Sequence, residues 1–150
     1  MPKRIAVGAD HAGYALKEEL KRFLQKRGVE VVDFGTDSTE SVDYPDFAAK
    51  VAQKVASGQV EQGLLCCGTG IGMAIVANKH AGVRAAVVSE PVSARLAREH
   101  NDANVLCLGG RIVGIELARQ ILDAWLGAKF LGGRHQRRVD LILKLDRRRS

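Results

Sequence analysis

The residues best suited to chemistry lie in one run, Cys66-Cys67-Gly68-Thr69-Gly70-Ile71-Gly72. The apolar stretch Gly63-Leu64-Leu65 precedes it, and helix formers from Met73 to Lys79 follow. The local reading is therefore strand, glycine loop, helix. Glycines at alternate positions let a backbone approach a bound group closely. The N–H groups of a helix start favour anionic oxygen, and a thiol placed there is favoured as thiolate. A tight strand-to-helix turn over buried cysteines explains the same residues, because free cysteine is among the most buried types. The loop by itself leaves both readings open. It is neither a dinucleotide fingerprint, whose glycines are spaced differently and follow the first strand, nor a P-loop, which ends in Lys-Ser/Thr.

Four histidines occur: His11, His80, His100 and His135. His80 reads as a favourable charge at a helix C-terminus. His11 and His100, each beside a polar partner (Asp10 and Asn101), are expected at element ends facing a ligand rim. Arg134 and Arg138 stand one helical turn apart and could grip a phosphate, although a solvated basic helix face has the same pattern. No close pair of cysteines or histidines has zinc spacing, so no zinc site is expected. Three cysteines, two of them adjacent, make a poor disulfide framework and read as reduced thiols.

The positioning elements follow from the pattern. One hundred and fifty residues with 46% hydrophobic content suit a single domain over 1–150. No apolar run approaches the ~20 residues that span a bilayer. The start, Met1-Pro2-Lys3-Arg4, carries no signal-peptide pattern, which predicts a cytoplasmic protein. Most of the net charge of +6 sits between Arg134 and Ser150, where seven basic residues face two acidic ones. With aromatic content of 5%, a phosphate-sized ligand and a solvated tail explain that cluster better than a nucleic-acid partner.

Strands are predicted at Ile5–Ala9, Val29–Phe34, Gln62–Cys67, Val83–Val88 and Val105–Leu108. Helices are predicted from Tyr14 to Arg27, from Tyr44 to Gly58, after the glycine loop to about His80–Gly82, from Pro91 to about Asp102, and from Ile115 to Leu126. Gly35 to Asp43 reads as a loop long enough to line a site. Short apolar strands alternating with helices signal an α/β fold, a parallel sheet covered on both faces. Ligands in such folds gather at the carboxyl ends of the strands. A last helix, His135 to Arg149, places Val139, Ile142 and Leu143 at helical spacing beside Leu141 and Leu145. It follows a completed five-strand unit and needs a cover, so a homodimer at least is predicted.

The sequence closely resembles the ribose-5-phosphate isomerase B family, which includes the galactose-6-phosphate isomerase subunits and allose-6-phosphate isomerase. The stretches that carry the resemblance are GADHAG (Gly8 to Gly13), DYPDFA (Asp43 to Ala48), CGTGIGM (Cys67 to Met73) and ANKHAGVRAAV (Ala77 to Val87). SEPVSARLAREHNDANVLCLGGR (Ser89 to Arg111) and GGRHQRRV (Gly132 to Val139) complete them. They run through nearly the whole chain in the family's order.

The resemblance implies a Rossmann-like three-layer α/β/α sandwich on a five-stranded parallel sheet, with the C-terminal helix packing on a partner subunit. It implies homodimers or dimers of dimers with interfacial active sites, acting on a phosphorylated aldose or ketose. The implied reaction is interconversion of D-ribose 5-phosphate and D-ribulose 5-phosphate, with neither a metal nor another cofactor. Cys67 would be the base, Gly68, Thr69, Gly70, Ile71 and Gly72 would cradle the enediolate, and His100 would open the furanose with Thr69 and Asp10 nearby. Asn101 and Arg111 would bind sugar oxygens; His11, Arg134 and Arg138 would hold the phosphate. A glutamate-using branch of the family carries that residue where this chain has Met73, so the chain resembles the cysteine type. Cys66 is expected to face the core, since successive strand residues point to opposite sides. A hexose 6-phosphate isomerase, or a non-catalytic phosphate-binding module, remain the competing functions.

Overall fold

The computed structural model describes residues 1–147. Five strands, β1 (Arg4–Ala9), β2 (Glu30–Asp33), β3 (Gln62–Cys67), β4 (Ala85–Val87) and β5 (Val105–Gly109), form one parallel sheet in the order β2-β1-β3-β5-β4. Six helices accompany them among the described residues: α1 (Tyr14–Lys26), α2 (Tyr44–Ala56), α3 (Ile71–Ala77), α4 (Pro91–Asn101), α5 (Ile115–Gly127) and α6 (Arg134–Asp146).

The sheet is sandwiched between two helical layers. On one face Ile5, Val7, Leu64, Cys66, Leu106 and Leu108 pack against α1, α4 and α5 through Leu20, Ala94, Ile121 and Trp125. On the other, Ala6, Leu65, Cys67, Val105 and Cys107 meet α2 and α3 through Val51, Ala52, Met73 and Ala77. Every residue of β3 and β5 is buried, which is why these strands are continuous apolar runs rather than alternating ones. The expected three-layer Rossmann-like sandwich is the observed one.

The strand order makes a switch point. From β1 the chain goes to β2 through α1, then returns past β1 to β3 through α2 on the opposite face. The two connections leave the carboxyl ends of β1 and β3 in opposite directions and open a crevice there. Ala9 lies opposite Cys66 in the ladder, so Asp10 and Cys67 follow side by side at its mouth.

Two elements are shorter than the sequence predicts. α3 ends at Ala77 and gives way to a chain of turns at Lys79, His80 and Val83. β4 is reduced to an edge strand of three residues. The Asn78 side chain accounts for both, since its amide donates to the Ala85 carbonyl and its oxygen accepts from the Ala85 N–H. It thereby caps the outer edge of β4 where a further strand would pair.

α6 begins one residue earlier than expected, and the expected run to Arg149 reaches positions 148–150, outside the described residues. Only His135 and Val139 of this helix are buried, while Leu141, Ile142 and Leu145 stand 47%, 40% and 55% exposed. The unfilled apolar face expected of this helix is present.

Candidate active site

Three loops interlock at the mouth of the crevice. Gly110 donates to the Cys67 carbonyl at 2.7 Å, Arg111 donates to the Gly68 carbonyl at 3.0 Å, and Asp10 donates to the Cys66 carbonyl at 3.2 Å. The packing leaves no room for a side chain: a Cβ on Gly13 would lie 2.0 Å from the Cys66 carbonyl oxygen. Gly70 takes a φ of +82°, open to glycine at little cost, and its N–H turns back to Cys67 Sγ at 3.1 Å. That bond fixes the sulfur within the glycine loop. Thr69 is exposed, and its Oγ1 accepts from the Ile71 N–H at 3.2 Å as α3 begins.

Alternation along β3 separates the two adjacent thiols, as expected. Cys66 turns into the α1/α5 side of the core, whereas Cys67 faces the α2/α3 side and the loop. Burial pushes the Cys66 thiol far up, and burial raises Cys107 in the same way. Both are held as thiols in the core; Cys67 is also buried, but its sulfur is the one that lies in the glycine loop.

Across the crevice, Asp10 is buried and its Oδ1 accepts from the Gly13 N–H at 3.0 Å, closing the turn into α1. His11 is half-buried, and its Nδ1 receives the Val42 N–H at 3.2 Å. With Nδ1 acting as acceptor, Nε2 is the ring nitrogen left to donate. The Arg111 guanidinium lies over Gly68, with Nη1 3.3 Å from where a Cβ would sit.

Two neighbours of this rim are not evident from the sequence pattern of the site. The Tyr44 ring covers Gly72, whose Cβ position would fall 2.5 Å from it. Lys17 is fully buried, with Nζ 2.8 Å from Asp33 Oδ1 and 2.6 Å from the Thr36 carbonyl. Burial raises the Asp33 carboxyl, but the Lys17 bond, the Gly35 N–H and Lys21 outweigh it and hold the group low. The clamp ties α1 to the start of the loop that carries Val42 to His11. A signal for it exists in the chain: Lys17, Leu20 and Leu24 share one helical face, so a lysine stands in an apolar stripe.

The remaining candidates are elsewhere. α4 leaves the carboxyl end of β4 and returns to the amino end of β5, so His100 and Asn101 close it at the amino end of the sheet. α6 starts beside them, where Leu131 donates to the Glu99 carbonyl and the His135 ring stacks on His100. Arg134 and Arg138 flank that stack, both exposed, with no ion pair among the described residues. α6 ends with Asp146 accepting from Gly82, just before β4. From Val105 at that end of β5 to Gly109 beside Cys67 is four residues, a rise of about 13 Å. The expectation that His100, Arg134 and Arg138 share a rim with Cys67 fails within one chain. A helix that starts at the carboxyl end of a sheet must finish at the other.

A family model described as Ribose/Galactose Isomerase matches residues 5–142. The chain belongs to this family. It is 57% identical over 148 residues to ribose-5-phosphate isomerase B of Escherichia coli (strain K12), covering 99% of each chain. The structure of Clostridium thermocellum ribose-5-phosphate isomerase B superposes with a TM-score of 0.96 at 54% identity, over 98% of this chain and 99% of that one. Ribose-5-phosphate isomerase B from Mycoplasma genitalium, solved with bound ribulose-5-phosphate, gives 0.93 at 43% identity over 96% of both. Within the ribose/galactose isomerase family, the residue types of this rim fit proton transfer on a sugar phosphate: a thiol held by a loop amide, a carboxylate, an imidazole donor and a guanidinium.

Proposed function

We propose that this protein interconverts D-ribose 5-phosphate and D-ribulose 5-phosphate in the cytoplasm, needing no metal or cofactor, at sites each built from two copies of the chain. The observation that carries the proposal is the thiol of Cys67 at the switch point, held by the Gly70 N–H beside Asp10 and His11. His100 protonates the ring oxygen O4 as the C1–O4 bond breaks, and the O1 hydroxyl proton passes to Asp10. Cys67 then takes the proton from C2 and returns it at C1, while one proton moves from O2 to O1 with Thr69 at hand. The amides of Gly68 to Gly72 stabilise the charge on the enediolate oxygens. Asn101 and Arg111 orient the sugar hydroxyls, and His11, Arg134 and Arg138 hold the phosphate.

The two-copy site is supported by the partition of the residues. His100, Asn101, Arg134 and Arg138 end at the far side of the sheet from Cys67, beside the exposed leucines of α6. Ile71 and Ile75, 55% and 57% exposed on α3, supply an apolar surface next to the glycine loop for the facing copy. A homodimer, or a dimer of dimers, satisfies both, and no nucleic acid or membrane partner is invoked. No helix among the described residues is long and apolar enough to cross a membrane.

The test is conversion of ribose 5-phosphate by purified protein in chelator, run beside allose 6-phosphate. A preference for the pentose is expected. A preference for the six-carbon sugar replaces the substrate, and no turnover on either returns the fold to a phosphate-binding role.

A further inference from the structure

His135 has no place in the scheme above, yet it is the buried polar residue nearest to His100. Its ring lies flat on the His100 imidazole, centroids 4.3 Å apart and planes 10° from parallel. The contact joins the last turn of α4 to the first turn of α6, where Gly132 and Gly133, at φ +64° and +56°, bend the chain sharply enough to aim the first helical side chains back at α4. His135 and Val139 are the buried residues of α6, so this stack is one of two buried side-chain anchors for the helix within its own chain, among the described residues.

The surrounding charges are unusually one-sided. Arg134 and Arg138 act on His135 from α6, and His100 acts on it from α4. The other charged groups in the last turns of α4 are spent on each other, Glu99 with Arg95 and Asp102 with Arg98. Burial first, then His100 and the two arginines, hold the His135 imidazole below its ordinary range. Two cofacial imidazoles beside two guanidiniums cannot both carry a proton without strong repulsion.

We propose that His135 is a positioning residue for His100: its flat ring, stacked on that imidazole, sets its plane. This rests on the reading of His100 as the ring-opening group. Removing the flat ring should therefore damage ring opening and leave proton transfer at carbon comparatively intact.

Substrate chemistry separates these steps. Ribose 5-phosphate enters largely as a furanose and must be opened. Ribulose 5-phosphate has its C5 oxygen esterified, cannot close a furanose, and enters as the open chain. Full-length H135A and H135F would each be measured twice, for turnover of ribose 5-phosphate and for exchange of the C1 proton of ribulose 5-phosphate with D2O. H135A is expected to lose about tenfold more in the first assay than in the second, the scale of a misoriented acid. H135F, which restores a flat ring of similar size, should recover most of that difference. Equal losses in both assays would mean that His135 only supports the fold, and would overturn the proposal. So would wild-type behaviour of H135A, or H135F no better than H135A. Failure of the isomerase reading is distinguishable, because unaltered protein would then be inactive in both assays.

Discussion

The crevice at the carboxyl end of the sheet and the cluster at its amino end are built in opposite ways. Around Cys67 the contacts are backbone to backbone: loops from β1, β3 and β5 interlock through peptide hydrogen bonds and glycines with no space for a Cβ. Around His100 they are side chain to side chain, at the ends of two helices, one of which buries only two residues on its own chain. The first region is complete in a single chain. The second displays its basic groups outward, where the proposed two-copy site sets another copy's crevice against them. On the proposed two-copy site, carbon chemistry falls to the rigid region and side-chain recognition to a partner.

The largest effect should come from the rigid side. Cys67→Ala should lower turnover by about a thousandfold, as expected for loss of a general base. Solvent deuterium incorporation at the reacting carbon is the readout, and undiminished exchange would remove Cys67 from that role. Next comes the test of the division itself. Cys67→Ala and His100→Asn should each be nearly inactive, yet co-expressed chains should regain about a quarter of normal activity, because half the random dimers hold one intact site. No recovery in mixed dimers would place both residues in one chain's site and end the comparison.

Arg138→Ala should raise KM about tenfold with a smaller fall in kcat, the signature of a group holding a non-reacting phosphate. An unchanged KM would return this arginine to solvated surface charge. Gly70→Ala should cost about 1–2 kcal/mol for a left-handed residue, in addition to crowding the Leu108 backbone 3.0 Å from the new Cβ. A fall in Tm would reveal it, and none would show that the loop is looser than its hydrogen bonds imply.

The smallest effect is a pH dependence of stability. His135 is held low in the folded chain by burial, His100 and the arginines, so the unfolded chain binds its proton first as pH falls. Its contribution is full above the unfolded value near 6.5 and fades as pH drops below it. Tm measured from pH 7.5 to 5 should decline less steeply for H135F than for the unaltered protein. An identical slope would show that the stack does not titrate.

Much of the fold is legible in the residues alone. The parallel α/β sandwich follows from short apolar strands alternating with amphipathic helices, and β3 is delimited to the residue because both its ends are marked by glycine and polar neighbours. The local pattern makes helix α3 and strand β4 too long, because Asn78 reaches across to pair with Ala85, a contact between non-adjacent positions that no such pattern encodes. Lys17 has the composition of a surface charge, and only its place in the apolar stripe of α1 marks it as buried.

What the sequence determined by itself is the set of chemical groups and the local geometry that holds them. Glycine at 68, 70 and 72 marks the loop, and alternation along β3 is enough to send the two adjacent cysteines to opposite faces of the sheet. What only the tertiary structure decided is which groups share a place. The sequence positions of His100 and Cys67 suggest one rim, but a helix returning from the end of β4 to the start of β5 carries His100 the full length of the sheet away. Adjacency across a fold depends on strand order and chain direction. Both are set by how the whole sheet packs, not by the residues at either site.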